Sequence, residues 1–452
     1  LARVLPGLAV WQDDFEDPRD LVWAERPGFQ LAARHWKTGS RFSETLKAYY
    51  AGRADYQSEM SALGRAADAK PFAFVEKGRA RELFGERMKL SASQVEKYYL
   101  CRFQYFCRYG LRARERRPAA LDALEYGSLM HYVLENLLKM EKAVPLEQWD
   151  DAALKAEIDR LLEEYVSARL GGWEDKTPRF RYLFVRLAET ALVLVRHVAR
   201  ELAQSAFEPA DFELSIGREG DVPPLTLALP GGGMVSVEGK VDRVDVMKKN
   251  GTSYVRVIDY KTGAKDFKLS DVLYGLNMQM LIYLAAIWEN GEQRYGRVLP
   301  AGVLYMPANR PVVSADHALS PEKAEAERAK KLRMNGLVLD DPEVIRGMEA
   351  QAAGVFIPVA LKNGLPAKLD AVASLEEMGN IVRRIEELVV DMARTLREGD
   401  IAAEPAVGEY EACAWCPYRP VCGHEDGKNE RTVKKWDRNA AMKALEREEK
   451  GR

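Results

Sequence analysis

Between residues 235 and 261 the apolar positions recur at the spacing of β-strands. Val235, Val237, Val241, Val244 and Val246 form one run, "KKNGT" interrupts it, and "YVRVIDYK" resumes it. Asn250-Gly251 between two β-rich runs predicts a hairpin turn. Asp242, Asp259 and Lys261 lie inside the runs themselves. On either side of this hairpin the period changes. Apolar and aromatic residues fall at helical spacing over 1–85, 90–112, 121–140, 151–170 and 180–204. Ser91 and Ser93 are candidate N-caps for the second of these, and Glu96, three residues after Ser93, predicts a capping box. "DFELSIG" and "PLTLALP" predict strands ahead of the hairpin. Beyond it the pattern predicts a helix over "LSDVLYGLNMQMLIYLAAIWEN" and a strand over "GVLYMP". Residues 318–400 read as mostly helical and end in a long helix near Glu376–Arg397; from Lys428 the chain is highly charged and reads as an exposed tail. Helices, a block of strands, then a helix and a further strand predict a mixed sheet with helices packed on it, an α+β or α/β core.

Composition narrows the class. The 452 residues are 47% hydrophobic and 30% charged, which fits a folded globular chain with a large core. The net charge of −2 does not announce nucleic acid, so a polyanion site must come from local patches. No apolar run reaches the roughly 18–20 residues of a membrane helix; Met280–Trp288 is too short, so no membrane partner is expected. No signal peptide is visible, and five cysteines make no disulfide scaffold, so a cytoplasmic, reducing setting is the expectation. The opening "LARVLPGLAVWQDD" reads as the interior of a longer protein.

The charged strand residues raise the first chemical question. In a strand, residues i and i+2 share a face, so Asp259 and Lys261 project together while Tyr260 points the other way. A hairpin register that sets Asp242 opposite Asp259 would crowd two carboxylates and an ammonium into one volume. Mg²⁺ or Mn²⁺ relieves that repulsion, because hard cations favour carboxylate oxygens. A lone Asp-x-Lys more often marks an exposed strand face. Two helical pairs add to the picture, each at i, i+4: His131 with Glu135 in "EYGSLMHYVLENLL", and Gln279 with Tyr283 in "LNMQMLIYLAAI".

Taken in order, "GSLMH", "GKVDRVD", "VIDYKTG" and "QMLIY" resemble the RecB-like branch of the PD-(D/E)XK nucleases. That branch carries a G-x-x-x-H helix, a G-x-[IV]-D-R-[IV]-D strand, a D-x-K strand and a Q-x-x-x-Y helix. The resemblance implies an α/β, restriction-endonuclease-like fold, a mixed sheet flanked by helices. It implies His131, Asp242, Asp259 and the Tyr260 carbonyl as metal ligands and Lys261 as the catalytic lysine. Gln279 and Tyr283 would contact DNA or support the site. Asp245 would be structural, paired with Arg243 or a neighbour, and Glu135 would stay outside the ligand set.

The cysteines form a second constellation. Cys413, Cys416 and Cys422 are spaced C-x2-C-x5-C, with Pro417 and Pro420 fixing turns. This is a metal-site pattern that needs a fourth ligand: His424 in a Cys₃His zinc knuckle, or Cys101 in "YYLCRFQYF". The iron–sulfur branch of the same nuclease family places one cysteine ahead of the histidine helix and three near the C-terminus. Arg102 departs from the proline usual there. By that resemblance Cys101, Cys413, Cys416 and Cys422 hold a [4Fe–4S] cluster, and Cys107 is a buried spare. Closing so long a loop would disfavour the unfolded chain by about 5–6 kcal/mol.

"LSASQVEKYY", "CRYGL", "LDALEYGSLMHYVLE" and "RMNGLVLDDPEV" resemble the C-terminal nuclease portion of the AddB family, subunits of the bacterial AddAB helicase–nucleases, over about residues 85–425. Residues 1–85 would then end a helicase-like region, 86–426 would form the nuclease domain with its iron–sulfur staple, and 427–452 a charged tail. The chain has no G-x-x-x-x-G-K-[ST], so an AddA-like partner would supply the motor. The family resemblance implies DNA as substrate and cutting of the 5′-ended strand during double-strand break processing. "KGRARELFGERMK", "LRARERR" and "KTGAKDFK" are candidate phosphate-facing patches. Competing readings are a stand-alone iron–sulfur nuclease of the kind associated with CRISPR, and a non-catalytic DNA-binding module.

Overall fold

The structure, a computed structural model, describes residues 22–68, 73–114, 123–141, 145–174, 176–263, 266–315, 317–367 and 369–447. The chain divides into two compact units after Phe72, whereas the motif reading draws its boundary at residue 85. The first unit contains helices Glu25–Arg34, Arg41–Ala51 and Gln57–Asp68 around Leu31, Ala32, Leu46 and Tyr50. Ser40 caps the second of them by accepting from Ser43 N.

The second unit is built on an eight-stranded mixed sheet. Its principal strands are β1 (Arg87–Ser91), β2 (Glu208–Ile216), β3 (Leu225–Ala228), β4 (Met234–Lys249), β5 (Thr252–Lys261), β6 (Val298–Pro307) and β7 (Asn335–Leu339). The order is β1-β4-β5-β6-β7 followed by the short strand Val372–Ala373, and β2 and β3 also pair with β4. The long β4 explains this branching. Its first half lies against β1 and β3, and its second half between β2 and β5. The β4–β5 turn is the hairpin the sequence predicts: Asn250 (φ 50°) and Gly251 (φ 74°) are both left-handed, as a two-residue primed turn requires. β5 and β6 run parallel, joined across helix Gln279–Asn290, whose apolar residues pack into the core. Helices Ala123–Glu141, Asp151–Arg169 and Pro178–Ala203 pack their apolar residues into the same core.

Several expectations are corrected by packing. The helix expected from Leu269 to Asn290 is two, Leu269–Val272 and Gln279–Asn290. Between them Gly275 (φ 77°) and Asn277 (φ 56°) turn the chain, and a Cβ at Gly275 would lie 2.2 Å from the Tyr99 ring. The capping box at helix Ala92–Leu100 is Ser91 with Gln94, not Ser93 with Glu96. Glu96 instead accepts from Met278 N and Gln279 N at 2.8 and 3.0 Å, placing a carboxylate at the N-terminus of the Gln279 helix. Within 318–400, "NGLVL" is strand β7, antiparallel to β6, because a short apolar run fits a buried strand as well as a helix. Beyond Lys428, Arg431–Val433 pairs with Ala406–Gly408, and helix Arg438–Arg447 buries Ala441, Met442 and Leu445 in the main core. No helix among the described residues is long and apolar enough to cross a membrane.

Beneath the sheet lies a closed charge cluster. Arg243, Asp245, Arg256 and Glu201 are all fully buried. Arg243 grips Asp245 with two bonds of 2.6 Å, and Arg256 bridges Asp245 at 2.9 Å to Glu201 at 2.6 Å. Burial alone would raise the Asp245 carboxyl, but the two guanidiniums lower it. Asp245 is thus structural and paired with Arg243, as the sequence suggested. Removing one partner strands charge in a dry interior, which costs roughly 3–5 kcal/mol. Arg243→Met is therefore expected to lower the unfolding free energy by about that amount in urea titrations; a loss below about 1 kcal/mol would contradict the network's role.

Candidate active site

The sheet register brings the acidic residues together. The β4–β5 ladder pairs Arg243 with Ile258, so one step further sets Asp242 opposite Asp259. The β2–β4 ladder pairs Phe212 with Arg243 and Leu214 with Val241, which sets Glu213 opposite Asp242 from the other side. Three carboxylates therefore occupy one row across β2, β4 and β5. Glu213 has φ 50°, a left-handed conformation inside a strand that costs about 1–3 kcal/mol and persists only where the surroundings impose it.

His131 enters from helix Ala123–Glu141. Its Nε2 donates to the Tyr260 carbonyl at 2.9 Å, and its Nδ1 lies 3.5 Å from Asp242 Oδ2. The same Asp242 oxygen accepts from Tyr260 N at 2.9 Å. One ligand atom each from His131, Glu213 and Asp242 lie within 4.8 Å of one another, close to the span around a single hard cation. Asp259 is buried, with Lys261 Nζ 2.5 Å from its Oδ2 and 6.0 Å from the centre of the Tyr305 ring. Burial would lower the His131 pKa, but the hydrogen bond and charge of Asp242, the Tyr260 carbonyl and Asp259 push it up to about 9. Protonated, His131 joins Lys261 in offsetting the carboxylates; deprotonated, its imidazole completes with the carboxylates and the carbonyl a donor set that suits a divalent cation.

Gln279 and Tyr283 sit on the helix whose N-terminus Glu96 caps. Tyr283 is buried and packs on the bare face of Gly239, where a Cβ would lie 2.3 Å from the phenol oxygen. It hydrogen-bonds Gln279 and the Lys240 backbone, two residues from Asp242. Glu135 turns away to pair with Lys139 at 2.6 Å. Glu213 is the site residue that motif reading misses. Its only sequence signal is a carboxylate inside the apolar run "DFELSIG"; its neighbour Asp242 follows from a register between strands distant in sequence.

The cysteines converge independently of this site. Cys101, Cys413, Cys416 and Cys422, all free thiols, line one small cavity together with His424. Burial, and for both the nearby Cys416, push the Cys101 and Cys413 thiols up, which favours their neutral form. Cys107 is buried close by and does not line the cavity. Arg102 pairs with Asp400 at 2.6 Å and Glu404 at 3.2 Å, tying the same junction. Of the basic patches, Arg79 pairs with Glu76 and Lys89 with Glu238, and residues 115–117 and Lys265 lie outside the described residues.

Comparison with known proteins bears on the family of this fold. The model of the PD-(D/E)XK nuclease superfamily matches residues 89–423. A protein of Clostridium acetobutylicum named as a subunit of an ATP-dependent helicase/deoxyribonuclease is 33% identical over 83% of the chain and 33% of its own length. Proteins of the same name from Ruminiclostridium cellulolyticum and Acetivibrio thermocellus are each 31% identical, over 92% and 93% of the chain and 37% and 38% of their own lengths. The chain thus spans between about a third and two fifths of the length of these relatives. With the mixed sheet, its flanking helices and the matched residues taken together, the chain belongs to the PD-(D/E)XK nuclease superfamily.

Proposed function

We propose that this chain is the nuclease portion of an AddB-type helicase–nuclease subunit, a cytoplasmic enzyme that hydrolyses phosphodiester bonds of single-stranded DNA during double-strand break repair and recombination. The cutting is exonucleolytic on the 5′-ended strand, and an AddA-like subunit supplies the motor. The observation that carries the reading is the convergence of His131, Glu213 and Asp242 beside the Asp259–Lys261 pair. Relatives named as deoxyribonuclease subunits support it.

His131, Asp242, Asp259 and the Tyr260 carbonyl would hold Mg²⁺ or Mn²⁺, with Glu213 as a further carboxylate. When bound, the ion polarises the scissile phosphate and acidifies a water. Lys261 offsets the charge that grows on the phosphate and orients the attacking water. Tyr283 and Gln279 brace the Asp242 strand from the opposite helix. The four cysteines would hold a [4Fe–4S] cluster whose task is to staple helix Ala92–Leu100 to the C-terminal segment.

The direct test is digestion of an end-labelled single strand with and without Mg²⁺. Metal-dependent product supports the reading, and its absence under both conditions in the cluster-loaded protein rejects it. Glu213→Gln is expected to raise the Mg²⁺ concentration for half-maximal cleavage about tenfold or more, by analogy with losses at other metal sites. An unchanged Mg²⁺ titration would remove Glu213 from the ligand set.

A further inference from the structure

A large cleft opens directly from Lys261. A cleft of about 890 Å³ begins at Lys261 and Tyr305, at the carboxyl ends of the parallel strands β5 and β6, and runs past the C-terminus of helix Pro321–Leu332 to residues 435–441. Crevices outside the carboxyl ends of parallel strands are where ligands bind in open α/β sheets. Its wall is cationic. Lys268, Lys330, Lys331, Arg333 and Lys435 all line it. Lys268 and Lys330 are held by Glu409 and Glu327, but Lys331, Arg333 and Lys435 are exposed and form no ion pair among the described residues. Three carboxylates share the wall, and two are occupied: Asp266 takes Asn335 Nδ2 at 3.0 Å, and Asp437 caps helix Arg438–Arg447 by accepting from Ala440 N at 3.0 Å.

Trp436 sits on the same wall, 40% exposed. Its indole N–H donates to Tyr274 Oη at 2.9 Å, which fixes the ring in place. A fixed, exposed indole among cations is the pairing that grips single-stranded nucleic acid: ammonium and guanidinium groups follow the phosphates, and the ring stacks a base without regard to its identity. A duplex offers no free base face to such a ring.

We propose that this cleft is the path along which a single polynucleotide strand reaches Lys261, with Lys331, Arg333 and Lys435 as phosphate contacts and Trp436 as a stacking platform. The inference rests on the nuclease reading for its direction of use but not for its test, since binding can be measured without cleavage.

The experiment is fluorescence anisotropy in EDTA with labelled single strands of oligo-dT and oligo-U and a duplex of equal length. The full chain is compared with Lys331→Gln/Arg333→Gln/Lys435→Gln, with Trp436→Ala and Trp436→Phe, and with a matched triple at Lys155, Arg160 and Arg169. The cleft triple should weaken single-strand binding by about tenfold or more at moderate salt and flatten the log–log salt slope by about 2, for three phosphate contacts on a single strand. Trp436→Ala should weaken it about 5- to 100-fold while Trp436→Phe retains most of the affinity. The matched triple should bind like the parent. Parent-like binding by the cleft triple and by Trp436→Ala, or a parent that prefers duplex or binds no strand, overturns the proposal. Metal-dependent cleavage that persists in that case leaves the nuclease reading standing. Cleft-dependent binding in a protein that never cleaves rejects the nuclease reading alone.

Discussion

Asp259→Ala is expected to reduce Mg²⁺-dependent cleavage of a single strand by about a thousandfold or more while leaving the protein folded. The size follows from where Asp259 sits. It is buried at the end of β5, opposite Asp242 by register and within 2.5 Å of Lys261. Removing it deletes a proposed cation ligand and frees the lysine that would counter charge on the phosphate. Groups acting as one unit lose most of their joint effect when any one is removed, so a single truncation is costly. Stability should move far less, because Lys261 is partly exposed and can turn to water. The measurement is single-turnover cleavage with the urea midpoint followed in parallel. Retained cleavage in a folded Asp259→Ala protein would dismiss this site. Lost cleavage with an unfolded protein sends the test to Lys261→Met, whose side chain is less buried and whose loss should silence cleavage without unfolding.

Cys413→Ser is expected to give a colourless protein depleted of iron and sulfide, with the urea midpoint shifted by the equivalent of about 5–6 kcal/mol at most. Cys413 faces Cys101, Cys416 and Cys422 across one small cavity, although Cys101 precedes most of the sheet in sequence and the other three follow it. A cluster there closes nearly the entire nuclease unit into a loop, and such long closures restrict an unfolded chain most. Metal analysis of the parent separates the alternatives. Iron and sulfide near four equivalents fit the four-cysteine set; a single zinc, lost in His424→Ala, would instead establish the Cys₃His site. His424 lines the same cavity and its Nε2 lies 3.5 Å from Glu430, so the zinc reading has a physical basis to be tested.

The sequence by itself determined the local pieces. Asn250-Gly251 dictated its turn, because few residues other than glycine and asparagine enter the left-handed region cheaply. The positions of Asp242, Asp259, Lys261, His131, Gln279 and Tyr283 within their strands and helices were legible from short motifs, and the cysteine spacing singled out the residues that line one small cavity. Glycine in "GKVDRVD" became intelligible only with Tyr283 lying against it. What tertiary structure alone decided is which of these pieces meet. Glu213 lies opposite Asp242 because β2 and β4 share a register that no local pattern encodes. Glu96 caps a helix that starts at Gln279, not its own. Lys331 and Arg333 form one cleft wall with Lys435 and Trp436 although the two pairs lie about a hundred residues apart, and each residue alone reads as an ordinary surface residue. The division has a physical cause. Turn chemistry and periodicity act over a few residues and are written in order along the chain. A site is a set of neighbours across strands and helices, and those contacts are fixed only when the buried faces of the whole sheet have settled against their partners.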